Sequence, residues 1–175
     1  IGYIAISTFA IEGCSKDIKK ALIELKQQGA TSIVLDLRGN GGGLLSEAVN
    51  VVNFFVPKGK EIVVTKGKIK QAGSTYKTSN EPIDMEIPLT VLVDGATASA
   101  AEIFSGSLQD LDRAVIVGNR TYGKGLVQVP RELPYNSSMK VTTAKYYIPS
   151  GRCIQAIDYA KRYNHKSIAG VTKSL

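Results

Sequence analysis

Two continuous apolar runs, SIVLDL (32–37) and PLTVLVD (88–94), constrain this chain more than any other feature. Each is too short for a buried helix, and each runs into glycine or small residues that open a helical pattern. Runs of this kind, without polar alternation, predict strands buried on both faces, as in a parallel sheet. RAVIVG (113–118) predicts a third, and residues 1–8 read as a weakly alternating fourth. Between them the period changes. A helix begins at Ser15 with Ile18, Leu22 and Leu25 as its stripe, and Gly29 stops it. A second runs from about Leu44 to Phe54, before Pro57, and a third follows Gly95 in ATASAAEIFSGSLQDL. Repeated strand–helix–strand order implies an α/β domain. Residues 61–78 predict a Lys-rich hairpin around Lys66-Gly67, and VQVPRELP with KVTTAKYYIP predicts another.

The length of 175 residues suits one domain with its own core. No apolar run approaches the roughly 20 residues of a membrane span. The chain opens directly on a strand-like run, so it reads as a piece of a longer protein, with 1–155 as its core and 156–175 as a tail or severed connection. The net charge of +7 raises the question of nucleic acid, since six lysines lie between Lys58 and Lys77. Tyr76 is the only aromatic residue among them, so a single-strand groove is not expected; lysines blunting an exposed sheet edge explain the cluster. Cys14 and Cys153 have no metal spacing and read as two free thiols. The single histidine, His165, sits in a polar stretch near the C-terminus. Zinc sites built on several histidines are thereby excluded, and a Ser-His-Asp triad would have to use His165. No cofactor or metal is expected.

In sheets of this class, sites form beyond the carboxyl ends of the strands. The first such joint, LDLRGNGGGLL, can turn sharply and aim backbone N–H groups at negative charge. Phosphate binding fits poorly: Leu44 stands where a dinucleotide fold needs its third glycine, and no GK[ST] follows. A tight turn or an oxyanion hole remains. The second joint, VLVDGATASAAEIF, places Ser99 among alanines near a helix N-terminus. A serine there can simply cap the helix. It can also be a nucleophile, given a base. Lys124 in TYGKG is the candidate. A helix from about 98 to 111 climbs roughly 20 Å, and a strand over 113–118 returns a similar distance at roughly 3.3 Å per residue. The turn at 120–125 therefore comes back to the level of Ser99. Flanked by Gly123 and Gly125, Lys124 could enter a crowded pocket, where desolvation favours the neutral amine.

The run from LDLRGNGGG through DGATASAAEIFSGSLQD to VGNRTYGKGLVQ resembles the core of the carboxyl-terminal processing, or tail-specific, serine peptidases. The resemblance implies a fold related to the Clp protease and crotonase superfamily: strand–helix repeats with additional hairpins. It implies Ser99 as nucleophile, Lys124 as base and Gln128 as the residue orienting the lysine amine. The backbone N–H of Ala100 and one from Gly41 or Gly42 would hold the oxyanion. It implies an endopeptidase that forms an acyl-enzyme and cleaves proteins near accessible C-terminal tails. The expected location is the bacterial periplasm or cell envelope, or the thylakoid lumen. Members usually carry a PDZ domain and an N-terminal region, neither of which is in this sequence. Glu102 and Asp110 fall where the family has acidic residues near the site, though helix-face acids paired to lysines would explain them equally. Partners would be protein or peptide substrates, not nucleic acid or nucleotides, and self-association into a homo-oligomer stays open. Two rivals are a non-catalytic scaffold of the same fold and a crotonase-like acyl-CoA enzyme.

Overall fold

The computed structural model describes residues 1–68, 73–157 and 159; His165 and nearly all of the expected tail lie outside them. In chain order the elements are β1 (Gly2–Ala5), α1 (Cys14–Gln27), β2 (Ile33–Asp36), α2 (Leu45–Val52), β3 (Glu61–Gly67), β4 (Ser74–Lys77), β5 (Leu89–Val93), α3 (Ala100–Asp110), β6 (Val115–Gly118), β7 (Leu126–Leu133) and β8 (Ser137–Tyr147). The predicted elements are present, with ends shifted by a few residues.

Four strands form a parallel sheet in the order β1-β2-β5-β6. One face is the core: Ile4, Ile33, Leu35, Val91 and Val93 share a buried cluster with Leu22 of α1, Val51 of α2, and Phe104 and Leu108 of α3. Phe9, from the loop after β1, sets its ring 5.9 Å from that of Phe104. Burial on both faces, expected from the apolar runs, is only half met. The row Tyr3, Val34, Thr90 and Val115 points the other way, and its outer members Tyr3 and Val115 are 54% and 65% exposed. An unbroken apolar run reports the absence of polar alternation, not the presence of a second covering layer.

The other four strands form an antiparallel sheet in the order β4-β3-β8-β7. The Lys-rich hairpin is β3 and β4, and Lys58, Lys60, Lys66, Lys68 and Lys77 are exposed, but only Lys77 lies on the edge strand β4: β3, with Lys66, is paired on both sides, so solvation of the hairpin rather than protection of an edge accounts for most of the cluster. Cys14 and Cys153 are free and half-buried.

Candidate active site

The chain leaves β2 through the glycine loop and enters α2, and a network of polar contacts ties that loop to the one after β5. Asp94 accepts the Gly39 N–H at 3.0 Å and also the N–H groups of Ala96 and Thr97. The Thr97 hydroxyl donates to the Leu37 carbonyl at 2.9 Å. Asn40, fully buried, is the centre of the joint. Its side-chain amide donates to the Ile6 carbonyl at 2.7 Å, its Oδ1 accepts the Gly42 N–H at 2.8 Å, and its own carbonyl accepts the Ala98 N–H at 2.9 Å. The two loops therefore behave as one rigid piece. Gly42 lies against Ser99: a methyl group there would sit 2.7 Å from the Ala98 carbonyl oxygen and 2.9 Å from both Ala100 N and Ser99 Cβ. Its φ of +97 also favours glycine.

Upstream of the loop, Asp36 accepts bonds from the Arg38 guanidinium at 2.7–3.1 Å, from the Arg38 N–H and from the Tyr3 hydroxyl. The Arg38 contact, with Tyr3 helping against the opposing effect of burial, holds the carboxyl well below the usual carboxylate range. Because the folded value lies below the unfolded one, the unfolded chain binds the extra proton. The stabilisation is thus present above about pH 4, the unfolded carboxyl value, and fades as pH falls through that point. Asp36→Asn should lower the melting temperature at pH 7 and shrink the difference between melts at pH 7 and pH 3. An unchanged difference would show that Asp36 is not part of the acid sensitivity.

Ser99 stands at the N-cap position of α3 but not in the extended backbone that caps ordinarily adopt. Its φ is 57 and its ψ −118, a conformation usual for glycine. Backbone of this kind in a non-glycine residue costs on the order of 1–3 kcal/mol and persists only where the surroundings enforce it. Here the enforcement comes from Glu102, whose Oε2 accepts the Ser99 N–H at 2.8 Å, and from the Ala98 N–H bond to Asn40. Among the described residues the N–H groups of Ala100 and Gly41 have no acceptor within the chain. The Gly42 N–H, the other loop donor expected at an oxyanion, is taken by Asn40.

The 121–125 turn does return to the level of Ser99. The Tyr122 N–H donates to the Thr97 carbonyl at 3.0 Å. Glu102, 4% exposed, then gathers the rest of the turn. Its Oε1 accepts the Thr121 hydroxyl at 2.7 Å and the Gly123 N–H at 2.6 Å, and its Oε2 accepts the Lys124 N–H at 2.8 Å. The lysine side chain differs from expectation: it is exposed, and among the described residues no hydrogen bond joins Lys124 Nζ to Ser99 Oγ. The flanking glycines have another cause. The segment 154–156 crosses directly over the turn, so that a methyl on Gly123 would meet Ala156 Cβ at 2.4 Å and one on Gly125 would meet Gln155 N at 2.5 Å. The crossing segment is fastened by Ala156 N–H to the Gly123 carbonyl at 3.0 Å and by Gly125 N–H to Gln155 Oε1 at 2.8 Å. The space the glycines leave is thus filled by the crossing segment.

Gln128 is exposed on β7, opposite Thr142, just past a bulge between Val127 and Gln128. It makes no hydrogen bond to Lys124 among the described residues. Asp110 closes the far end of α3, pairing with Arg152 at 2.8 Å and accepting the Ser150 N–H. Among the described residues neither Glu102 nor Asp110 is paired to a lysine. Glu102, which the resemblance put near the site without a role, and Asn40, which it left out, carry the site's geometry. The Ser99-Ala-Ala-Glu102 spacing of a capping box was the available signal for the first.

The profile of peptidase family S41 matches residues 1–161. The chain belongs to peptidase family S41. Its relatives include a probable CtpA-like serine protease of Staphylococcus aureus, 42% identical over 156 residues, covering 88% of this chain and 31% of that protein. The corresponding Staphylococcus epidermidis protein is 39% identical over 157 residues, with the same coverage. The chain therefore spans about a third of the length of these relatives. Among solved structures, the photosystem II D1 C-terminal processing protease matches with a TM-score of 0.78 and 38% identity, over 87% of this chain and 39% of that one. Mature CPAF has the same fold at 14% identity, with a TM-score of 0.74 over 89% of this chain and 44% of its own. The mixed parallel and antiparallel architecture is thus that of S41 proteases, with the Clp- and crotonase-like core.

Proposed function

We propose that this region is the catalytic core of a serine endopeptidase that cleaves proteins near accessible C-terminal tails, with Ser99 as nucleophile and Lys124 as base. The observation that carries the reading is the backbone of Ser99. A serine held at φ 57 on a strand–turn–helix joint, beside an unbonded Ala100 N–H, is an expensive arrangement for a mere helix cap. The neutral Lys124 amine takes the Ser99 proton as Oγ attacks the scissile carbonyl. The Ala100 N–H, with Gly41 as the free loop donor, holds the oxyanion, a contribution of roughly 3 kcal/mol per donor. Protonated Lys124 then gives its proton to the leaving amine, and water hydrolyses the ester. The exposed Lys124 side chain must close on Ser99 and lose water as substrate covers the turn; free enzymes often hold catalytic groups further apart than their complexes do. Gln128 would orient the amine in that closed state. The location proposed is the periplasm or cell envelope, on family grounds.

The exposed amine is the one observation favouring a non-catalytic domain of the same fold. An active-site serine probe of the fluorophosphonate class separates the two. The expected result is a covalent adduct mapped by mass spectrometry to Ser99, lost in Lys124→Ala. Intact protein that takes no label at Ser99, together with no cleavage of a protein bearing a free unstructured tail, would favour the scaffold.

A further inference from the structure

We infer that Asn40 is a positioning residue that withdraws the Gly42 N–H from the oxyanion site and leaves Gly41 as the loop donor, an inference resting on the reading of Ser99 above. Asn40 is fully buried in the glycine loop, and each of its polar groups is committed. Its N–H donates to the Leu37 carbonyl at 3.0 Å, and its carbonyl accepts the Ala98 N–H at 2.9 Å. Its side-chain amide donates to the Ile6 carbonyl at 2.7 Å, and its Oδ1 accepts the Gly42 N–H at 2.8 Å. One residue thus ties together the chain as it leaves β1, β2 and β5, the last of which leads into Ser99.

The consequence falls on two neighbouring peptide groups. Gly42 is held throughout: Asn40 takes its N–H, and its carbonyl accepts the Phe9 N–H at 2.9 Å and the Thr8 hydroxyl at 3.3 Å. Its Cα also faces the Ser99 joint so closely that no methyl fits. The Gly41 N–H has no acceptor among the described residues, and a methyl on Gly41 would meet nothing within 4 Å. A glycine loop without such a clamp could turn either N–H toward a developing negative charge. Asparagine suits the task because one short planar group carries both a donor and an acceptor; aspartate lacks the N–H, and leucine lacks both. A donor fixed beforehand speeds the reaction because nothing has to reorganise as charge develops.

Asn40→Ala removes both side-chain bonds and keeps the main-chain bonds to Leu37 and Ala98. It should lower kcat by at least about 30-fold with KM for a peptide substrate changed less than about threefold. Affinity for a peptidyl boronic acid, whose boron takes the Ser99 Oγ to form a tetrahedral anion, should fall by a similar factor. Circular dichroism and thermal melts confine the comparison to folded protein, because a purely structural asparagine would lower the melting temperature and leave kcat per folded molecule intact. Amide hydrogen exchange in the wild type needs no variant. In the free protein the Gly42 N–H should be protected and the Gly41 N–H should exchange quickly. The boronate adduct should slow exchange at Gly41 by at least about tenfold and leave Gly42 as it was. A folded Asn40→Ala with kcat within about threefold of wild type overturns the inference. So does an adduct that protects Gly42 and not Gly41, and that measurement decides if Asn40→Ala does not fold. Failure of the underlying reading is distinguishable: Ser99→Ala would then bind the boronic acid as tightly as wild type.

Discussion

Replacing either Ser99 or Lys124 by alanine should lower kcat for cleavage of an unstructured protein tail by at least about 10⁴-fold, and replacing both should lower it no further. The two act as one unit: without the amine the hydroxyl has no acceptor for its proton, and without the hydroxyl the amine has nothing to deprotonate. Neither change touches the main-chain bonds to Glu102, so circular dichroism and melting should stay close to wild type. Turnover by purified Lys124→Ala within tenfold of wild type would remove lysine from the mechanism.

The second large effect is expected at Gly42. Alanine there would place a methyl group 2.9 Å from both Ala100 N and Ser99 Cβ and 2.7 Å from the Ala98 carbonyl oxygen, all of them parts of the joint that holds Ser99. Backbone cannot yield as a long side chain can. The loop, or the α3 N-terminus, must move away, carrying the proposed oxyanion donors with it. Loss of one such donor in serine hydrolases costs about 10²- to 10³-fold in kcat. Gly42→Ala should therefore lose at least about 100-fold in kcat. A stability cost of about 1–3 kcal/mol should accompany it from the backbone at φ +97. Gly41→Ala meets nothing within 4 Å and provides the control, expected to fold as well as wild type. Equal kcat in the two variants would mean that the close approach of Gly42 to Ser99 has no part in catalysis.

The parallel sheet and the helices covering it were legible because they rest on local signals. Ile18, Leu22 and Leu25 recur at helical spacing, and the strands are short apolar runs bounded by glycine. The return of TYGKG to Ser99 followed from rise per residue alone, and the Tyr122 to Thr97 bond bears it out. The pairing of β3 with β8 was not legible, since Val64 and Tyr147 are joined by geometry that no local pattern encodes. The same holds for the cause of Gly123 and Gly125. Sequence shows that a side chain is missing, not what occupies its place, and here Gln155 and Ala156 occupy it. The role of Glu102 and the part played by Asn40 escaped for a related reason: most of their partners are main-chain groups, which have no residue type and so leave no mark in a sequence.

The crossing of 154–156 over the lysine turn has a consequence for how the protein comes into being. Synthesis runs from the N-terminus, so the serine, the glycine loop and the lysine all emerge before the backbone that roofs the turn. Gln155 lies 30 residues beyond the Gly125 N–H that it holds. Until that stretch clears the ribosome and docks, Gly123 and Gly125 border an open gap and the turn keeps the freedom that glycine confers. A half-made chain therefore carries Ser99, the glycine loop and Lys124 without the backbone that closes over their turn, and the order of the proposed site arrives only once residues 154–156 have docked.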